Sequence, residues 1–246
     1  MKRKYLIAIQ YLAVILIFAS VIINALLFTI EDPKYSLILS KTTLLWKAFY
    51  TTISISLFTL IGTMIIGFIL FVMKRSKIVI LNAIADVFNE IIMGTPLLVM
   101  IFLVVYILGP SIDYTNKLML GILSLVLYNS PYIANAYHTA AAVIDEDQYI
   151  VMDLYQFKWY EKYCHIIIPQ MIKPFIPSLI NNLSSVIKSS ALLNIVAVLE
   201  ISYVITSISS SSFAFIEGYY VMWIMYLIVT IPLSLLAKYL AKRVSV

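Results

Sequence analysis

Charge is what this sequence has least of: Asp, Glu, Lys and Arg make up 12% of its 246 residues, against 63% hydrophobic. A mean hydropathy of +1.00 lies outside the soluble globular range and excludes a water-soluble enzyme or carrier. Cysteine occurs once, at Cys164, which rules out an internal disulfide. The only two histidines, His138 and His165, are well separated, so no zinc or redox signature is formed and no metal is expected. There is no Gly-rich phosphate loop, no low-complexity linker and no soluble domain. The apolar stretches offer no paired carboxylates, no H-E-x-x-H and no Ser–His arrangement, so an intramembrane enzyme is the weakest reading and no catalytic residue is assigned.

What is present is length without charge. No charged residue occurs from Tyr5 to Ile30, Ala48 to Met73, Ile91 to Ile112, or Leu118 to Ile144. About 20 such residues cross the hydrocarbon core as a helix, and all four runs suffice. Between Pro174 and Ala237 only Lys188, Glu200 and Glu217 interrupt the apolar sequence, leaving room for two further spans. The expected fold is an all-α polytopic membrane protein with about six spans, near 5–29, 46–73, 86–109, 117–143, 174–206 and 216–240. A cleaved signal peptide is the alternative for residues 1–30. That apolar run is too long for an ordinary signal core and no A-x-A site follows, so a retained helix is expected.

The basic residues orient the chain. With both termini in the cytoplasm, 12 of the 17 Lys and Arg fall inside, four outside (Lys34, Lys41, Lys47, Lys117) and one, Lys188, within a span. A net charge of +5 distributed at span ends marks topology, and no nucleic-acid partner is expected. Tyrosines and tryptophans are read as interfacial belts against lipid.

One polar segment stands out, DEDQYIVMDLYQFKWYEKYCHIIIPQ at 145–170. Its acidic start resembles a helix N-terminus, where carboxylates meet the positive dipole end. On a helix, Ile150, Val151, Leu154, Phe157 and Tyr160 share one face, and Asp153, Gln156 and Lys158 lie off it. Such a helix can rest its apolar face on the membrane or on span ends and offer the other face to a soluble partner. Pro169, Pro174 and Pro177 are expected to punctuate the return to the membrane.

Other residues carry physical expectations of their own. Pro96 lacks an N–H and its ring displaces the Ile92 carbonyl, so a kink is expected at Gly94-Thr95-Pro96, as a packing kink or a gate. Gly94 would permit close backbone approach, and Thr95 would bond a freed carbonyl. Lys188, costing roughly 2.5–3.5 kcal/mol in a span, should face the interior, either satisfying a partner charge or lining a path. Glu200 is a candidate countercharge, but on a straight helix it lies about 18 Å away, so a neighbouring span or second subunit is the expected partner. Asn135 and His138, three apart, share a face that either lines a path or bonds between helices.

Four blocks of the sequence resemble the membrane permeases of ATP-binding-cassette importers, in the polar amino acid branch. They are EIIMGTPLLVM at 90–100, SPYIANAYHTA at 130–140, IIIPQMIKPFIPSLINNLSSVIKSSALLNIVAVLEI at 166–201 and FIEGYYVMWIMYLIVTIPLSLLAKYLAKR at 215–243. The resemblance covers 44–243, as a transmembrane domain of type I importer fold. Residues 1–43 are then an additional helix and outer loop. It implies a multi-pass protein of the cytoplasmic (inner) membrane and an amino acid substrate. It also implies a second permease chain, identical or not, and an extracytoplasmic substrate-binding protein. ATP and Mg would be held by separate ATPase subunits, with no cofactor in this chain. The segment 145–170 then corresponds to the loop that docks on the ATPase, whose E-A-A-x-x-x-G motif falls on Ile150, Val151, Met152 and Gln156, flanked by Gln148 and Pro169. Lys188 matches the lysine of L-L-K-D-T-S. Met93, Met100, Asn135 and His138 depart from the family's Arg, Gln, Glu and Arg. These losses and the altered loop raise one alternative, a non-transporting scaffold or sensor subunit derived from such a permease.

Overall fold

A small-residue stripe organises the membrane domain. In this computed structural model, which describes residues 34–244 and isolated positions between 10 and 24, the longest helix is Thr42–Lys74, here α2, preceded by the short α1 (Tyr35–Leu39). On α2 the residues Thr52, Ser56, Thr59, Thr63 and Gly67 recur at helical spacing and are all buried. They face α5 (Lys117–Ala141), whose buried face includes Ser124, Asn129, Ser130 and Ala134. Three of the hydroxyls return their protons to their own helices, Ser56 to the Thr52 carbonyl at 2.7 Å, Thr63 to that of Thr59 at 2.6 Å and Ser130 to that of Val126 at 2.6 Å, while the buried Thr59 hydroxyl has no partner among the described residues. With these donors turned back on their own helices, the stripes present small side chains, which lets helices approach closely in lipid. A Cβ built on Gly67 would lie 2.7 Å from Ile133 Cγ2, so the crossing depends on its absence.

The expected span 86–109 is two helices. α3 (Val79–Gly94) and α4 (Leu97–Ser111, containing a π-helical stretch) meet at 108°. Thr95 and Pro96 are extended, with ψ of 125° and 138°, because the ring of Pro96 excludes the helical conformation before it. The bend is thus a full break.

The route out of the loop also differs from expectation. α6 (Glu146–Leu154) is followed by α7, which runs from Trp159 to Val196 as an α-turn, a π-stretch (Lys162–Ile167), a long α-helix (Ile168–Ser189) and a 3₁₀ end. Pro174 and Pro177 lie inside that long helix and do not interrupt it; only Pro169 sits at its start. The expected span 174–206 instead breaks at residues 197–200, where Ala197 is left-handed (φ 60), and resumes as α8 (Ile201–Ser212), bent by 49°. The serine run at 209–212 forms the last turn of α8; the chain reverses at left-handed Phe213 and enters α9 (Phe215–Val244).

Among the described residues three helices (42–74, 117–141, 215–243) are long and apolar enough to cross a membrane, and five spans result if each bent pair counts as one. The expected first span, 5–29, lies outside the continuously described residues. Two of the apolar core clusters bear on the elbow and the loop helix. One, near the α3–α4 elbow, joins Ile55, Ile92, Ile101, Leu125 and Leu193; the other, under α6, joins Phe71, Ile133, Met152, Ile167 and Phe175.

Candidate functional site: the loop helix and the two broken spans

α6 begins as its acidic start suggests. Asp145 caps it, its carboxylate accepting the Asp147 N–H at 3.0 Å, and Glu146 and Asp147 occupy the first turn. It ends at Leu154, four residues before α7, so Phe157 and Tyr160 do not share one continuous helix with Ile150, Val151 and Leu154. The stop is a left-handed cap: Gln156 has φ 55, its N–H donates to the Asp153 carbonyl at 3.0 Å, and the Phe157 N–H donates to that of Met152 at 3.0 Å. Glycine is the usual residue for this conformation, and position 156 is where the resembling motif has it.

The faces of α6 are sorted differently from the expectation. Met152 is 2% exposed and inserts into the core beneath, with Tyr149 half-buried beside it. Ile150, Val151 and Leu154, the expected apolar face, stand outward at 64%, 49% and 77% exposed. Met152 is therefore not on the exposed surface of α6, whereas Ile150 and Val151 are. Gln148 accepts a hydrogen bond from Gln170 Nε2 at 2.9 Å, tying the first turn of α6 to α7 next to Pro169. The Lys162 ammonium donates to Asp153, and this bond holds the carboxyl below the usual carboxylate range. Glu161 is likewise lowered, chiefly by the backbone N–H of Lys158, which donates to it at 2.7 Å.

At the α3–α4 elbow, Thr95 Oγ1 donates to the Ile91 carbonyl at 2.6 Å, satisfying a group the break frees. Gly94 is not at a close approach: no atom lies within 4 Å of where its Cβ would be, and the elbow is exposed. At the second break two liberated N–H groups find side-chain acceptors, and the capping carboxylate is itself held by a neighbouring helix. Glu200 caps α8, accepting the Tyr203 N–H at 2.8 Å; Tyr226 of α9 donates its hydroxyl to the other carboxylate oxygen at 2.8 Å; and the Ile201 N–H donates to Thr52 Oγ1 of α2 at 3.1 Å. Irregular backbone within a membrane requires such partners. Glu200 is fully buried, so in this conformation it is a structural cap and neither an ion-pair partner for Lys188 nor a path-lining group. Sequence reasoning missed Tyr226 and Thr52 as its companions; neither carries a local signal, because each contact joins distant parts of the chain.

Lys188 is exposed in the single chain, contrary to an interior position within it, and no described residue forms an ion pair with it. Asn135 is exposed, while His138 is half-buried with its ring edge-on to Phe71 at 4.9 Å and its Nε2 without a partner among the described residues. The two do not form one polar site. The candidate residues thus fall into separate places: the outward face of α6, the exposed elbow, Lys188 elsewhere on the surface, Asn135 and His138 apart on α5, and the sealed break around Glu200.

Helical spans broken at two points, with a short amphipathic helix hung between the third and fourth of the core, define an importer-type permease domain. Residues 64–246 match the model of the binding-protein-dependent transport system inner membrane component, and the chain belongs to that family. The chain is 29% identical over 210 residues to the probable glutamine ABC transporter permease protein GlnM of Bacillus subtilis, covering 85% of this chain and 97% of that protein. It is 26% identical over 198 residues to the putative glutamine transport system permease protein GlnP of Rickettsia typhi, covering 79% and 90%. A solved amino acid ABC transporter superposes with a TM-score of 0.77 at 22% identity, covering 87% of this chain and all of that one. The MetNI methionine ABC transporter, inward facing, gives 0.69 at 12% identity, covering 82% of this chain and 97% of that one.

Proposed function

We propose that this chain is the permease subunit of an ATP-driven amino acid importer in the cytoplasmic membrane, with both termini in the cytoplasm. A second permease chain completes the path, and an extracytoplasmic binding protein delivers the substrate. ATP and Mg are bound, and ATP is hydrolysed, in separate ATPase subunits that seat on α6. Residues 44–243 form the transport domain and 1–43 an added helix and outer loop. Names of the curated relatives support the substrate class. The observation that carries the coupling reading is the geometry of α6: one side chain, Met152, anchors it inward while Ile150, Val151 and Leu154 are left in water. An exposed apolar face on a capped, anchored helix is a surface for a protein partner. Lys188, exposed in the single chain, faces the second permease chain.

The test is co-purification with the organism's own ATPase subunits, followed by substrate-stimulated ATP hydrolysis in vesicles. Val151→Ala with Leu154→Ala is expected to weaken ATPase association about tenfold while the permease inserts normally. Met152→Ala is expected to destabilise the permease itself by about 2–5 kcal/mol. In the same preparation Lys188→Leu should release the second permease chain. A wild-type chain that associates with no ATPase from its own organism would remove the coupling reading.

A further inference from the structure

α6 is fastened to the rest of the chain on two sides that differ in kind. Its side-chain hydrogen bonds run to the limb just after it, Gln148 to Gln170 and Asp153 to Lys162. These close a local loop and move with it. On the other side stands Arg75, the residue that ends α2. Its guanidinium carbon is 5.0 Å from the ring centroid of Tyr149 on α6 and 5.6 Å from that of Phe71 on α2. Phe71 is fully buried and in turn rests on α5, its ring 4.9 Å from His138 and 5.8 Å from Tyr137. One cation therefore contacts a ring of the loop helix and a ring embedded between the two most closely packed spans, and it also reaches the Tyr163 hydroxyl at the start of α7.

The chemistry suits arginine. A guanidinium is planar and weakly hydrated, and it lies on aromatic faces where an ammonium stays in water. The Tyr149 hydroxyl has no partner among the described residues, so the ring face and not the phenol makes the contact. Met152 holds α6 against the same core, but apolar burial is non-directional and fixes depth more than orientation.

We propose that Arg75 is a positioning residue for energy coupling: it clamps Tyr149 to Phe71, so that displacement of α6 by the ATPase is delivered to α2 and, through the α2–α5 crossing, to the membrane core. This rests on α6 being the ATPase-docking helix. The experiment uses the full complex of permease, ATPase and binding protein in vesicles, with co-purification, basal hydrolysis, substrate-stimulated hydrolysis and uptake per ATP as readouts. Arg75→Ala should keep ATPase association and basal hydrolysis, and lower uptake per ATP about 3- to 10-fold. Arg75→Lys, which retains charge without the plane, should recover only part of it. Tyr149→Phe should match wild type and Tyr149→Leu should match Arg75→Ala. The double variant Arg75→Ala, Tyr149→Leu should be no worse than either single one, since the two act as a unit. Unchanged uptake per ATP in Arg75→Ala overturns the assignment. So does a loss shared equally by basal and stimulated hydrolysis in both Arg75 variants, which marks a residue needed only for folding. A wild-type permease that binds no ATPase overturns the docking reading first, and this inference with it.

Discussion

At residue 156 the backbone is left-handed and the side chain is glutamine. A Cβ in that region meets the following carbonyl oxygen, at a cost of roughly 1–2 kcal/mol, which glycine avoids. The cap is nonetheless complete, with both of its backbone hydrogen bonds made. Gln156→Gly is therefore expected to stabilise the end of α6 by about 1 kcal/mol. Hydrogen exchange of the α6 amides in detergent reads this directly; protection that stays level or falls would mean that Gln156 makes a compensating contact. The position was visible in the sequence as the place where the resembling motif has glycine. That glutamine takes up the glycine conformation was not visible, because the helix stop is set by where Met152 is buried.

At the scale of elements, the α2–α5 crossing and the two broken spans are different solutions to one constraint, that backbone polar groups in lipid must be satisfied. The crossing keeps its ladders intact and relies on small residues. Gly67→Val would drive a branched side chain against Ile133 and the Ser130 carbonyl, which a Cβ alone would meet at 3.1 Å. The expected loss is about 1–3 kcal/mol of detergent stability, with Gly67→Ala milder. A valine variant with unchanged thermal unfolding would show that the helices can separate without loss. The breaks, by contrast, borrow partners: Thr95 from its own helix, Thr52 and Tyr226 from others. A kink at Pro96 was readable from the missing N–H and the ring. The break at 197–200 was not, since no proline or glycine marks left-handed Ala197, and the partners of the Ile201 N–H and of Glu200 come from distant helices.

For the whole molecule the prediction is topology. The 12-to-4 division of basic residues places 145–173 in the cytoplasm. Cys164 is exposed, in the π-stretch at the start of α7, and is the only thiol in the chain. A membrane-impermeant maleimide should leave it unlabelled in intact cells and modify it once they are permeabilised. Labelling in intact cells whose integrity is verified would invert the threading and remove the proposed docking of an ATPase on α6.

Hydrophobicity and charge placement are properties of the chain, and they sufficed for the membrane class and the apolar core helices, and they marked 145–170 as the polar exception. Transfer free energies act on each segment separately, so those features need no knowledge of neighbours. Which face of α6 turns inward could not be obtained that way. Both faces carry apolar residues, and the choice went to Met152 because the core beneath it, from Phe71 to Phe175, accepts one long unbranched side chain. The same holds for Glu200, which the sequence presents as an unpaired intramembrane charge. Its role as a buried cap follows only from Tyr226 and from the N–H of Tyr203, which tertiary packing and the helix break bring to its two oxygens.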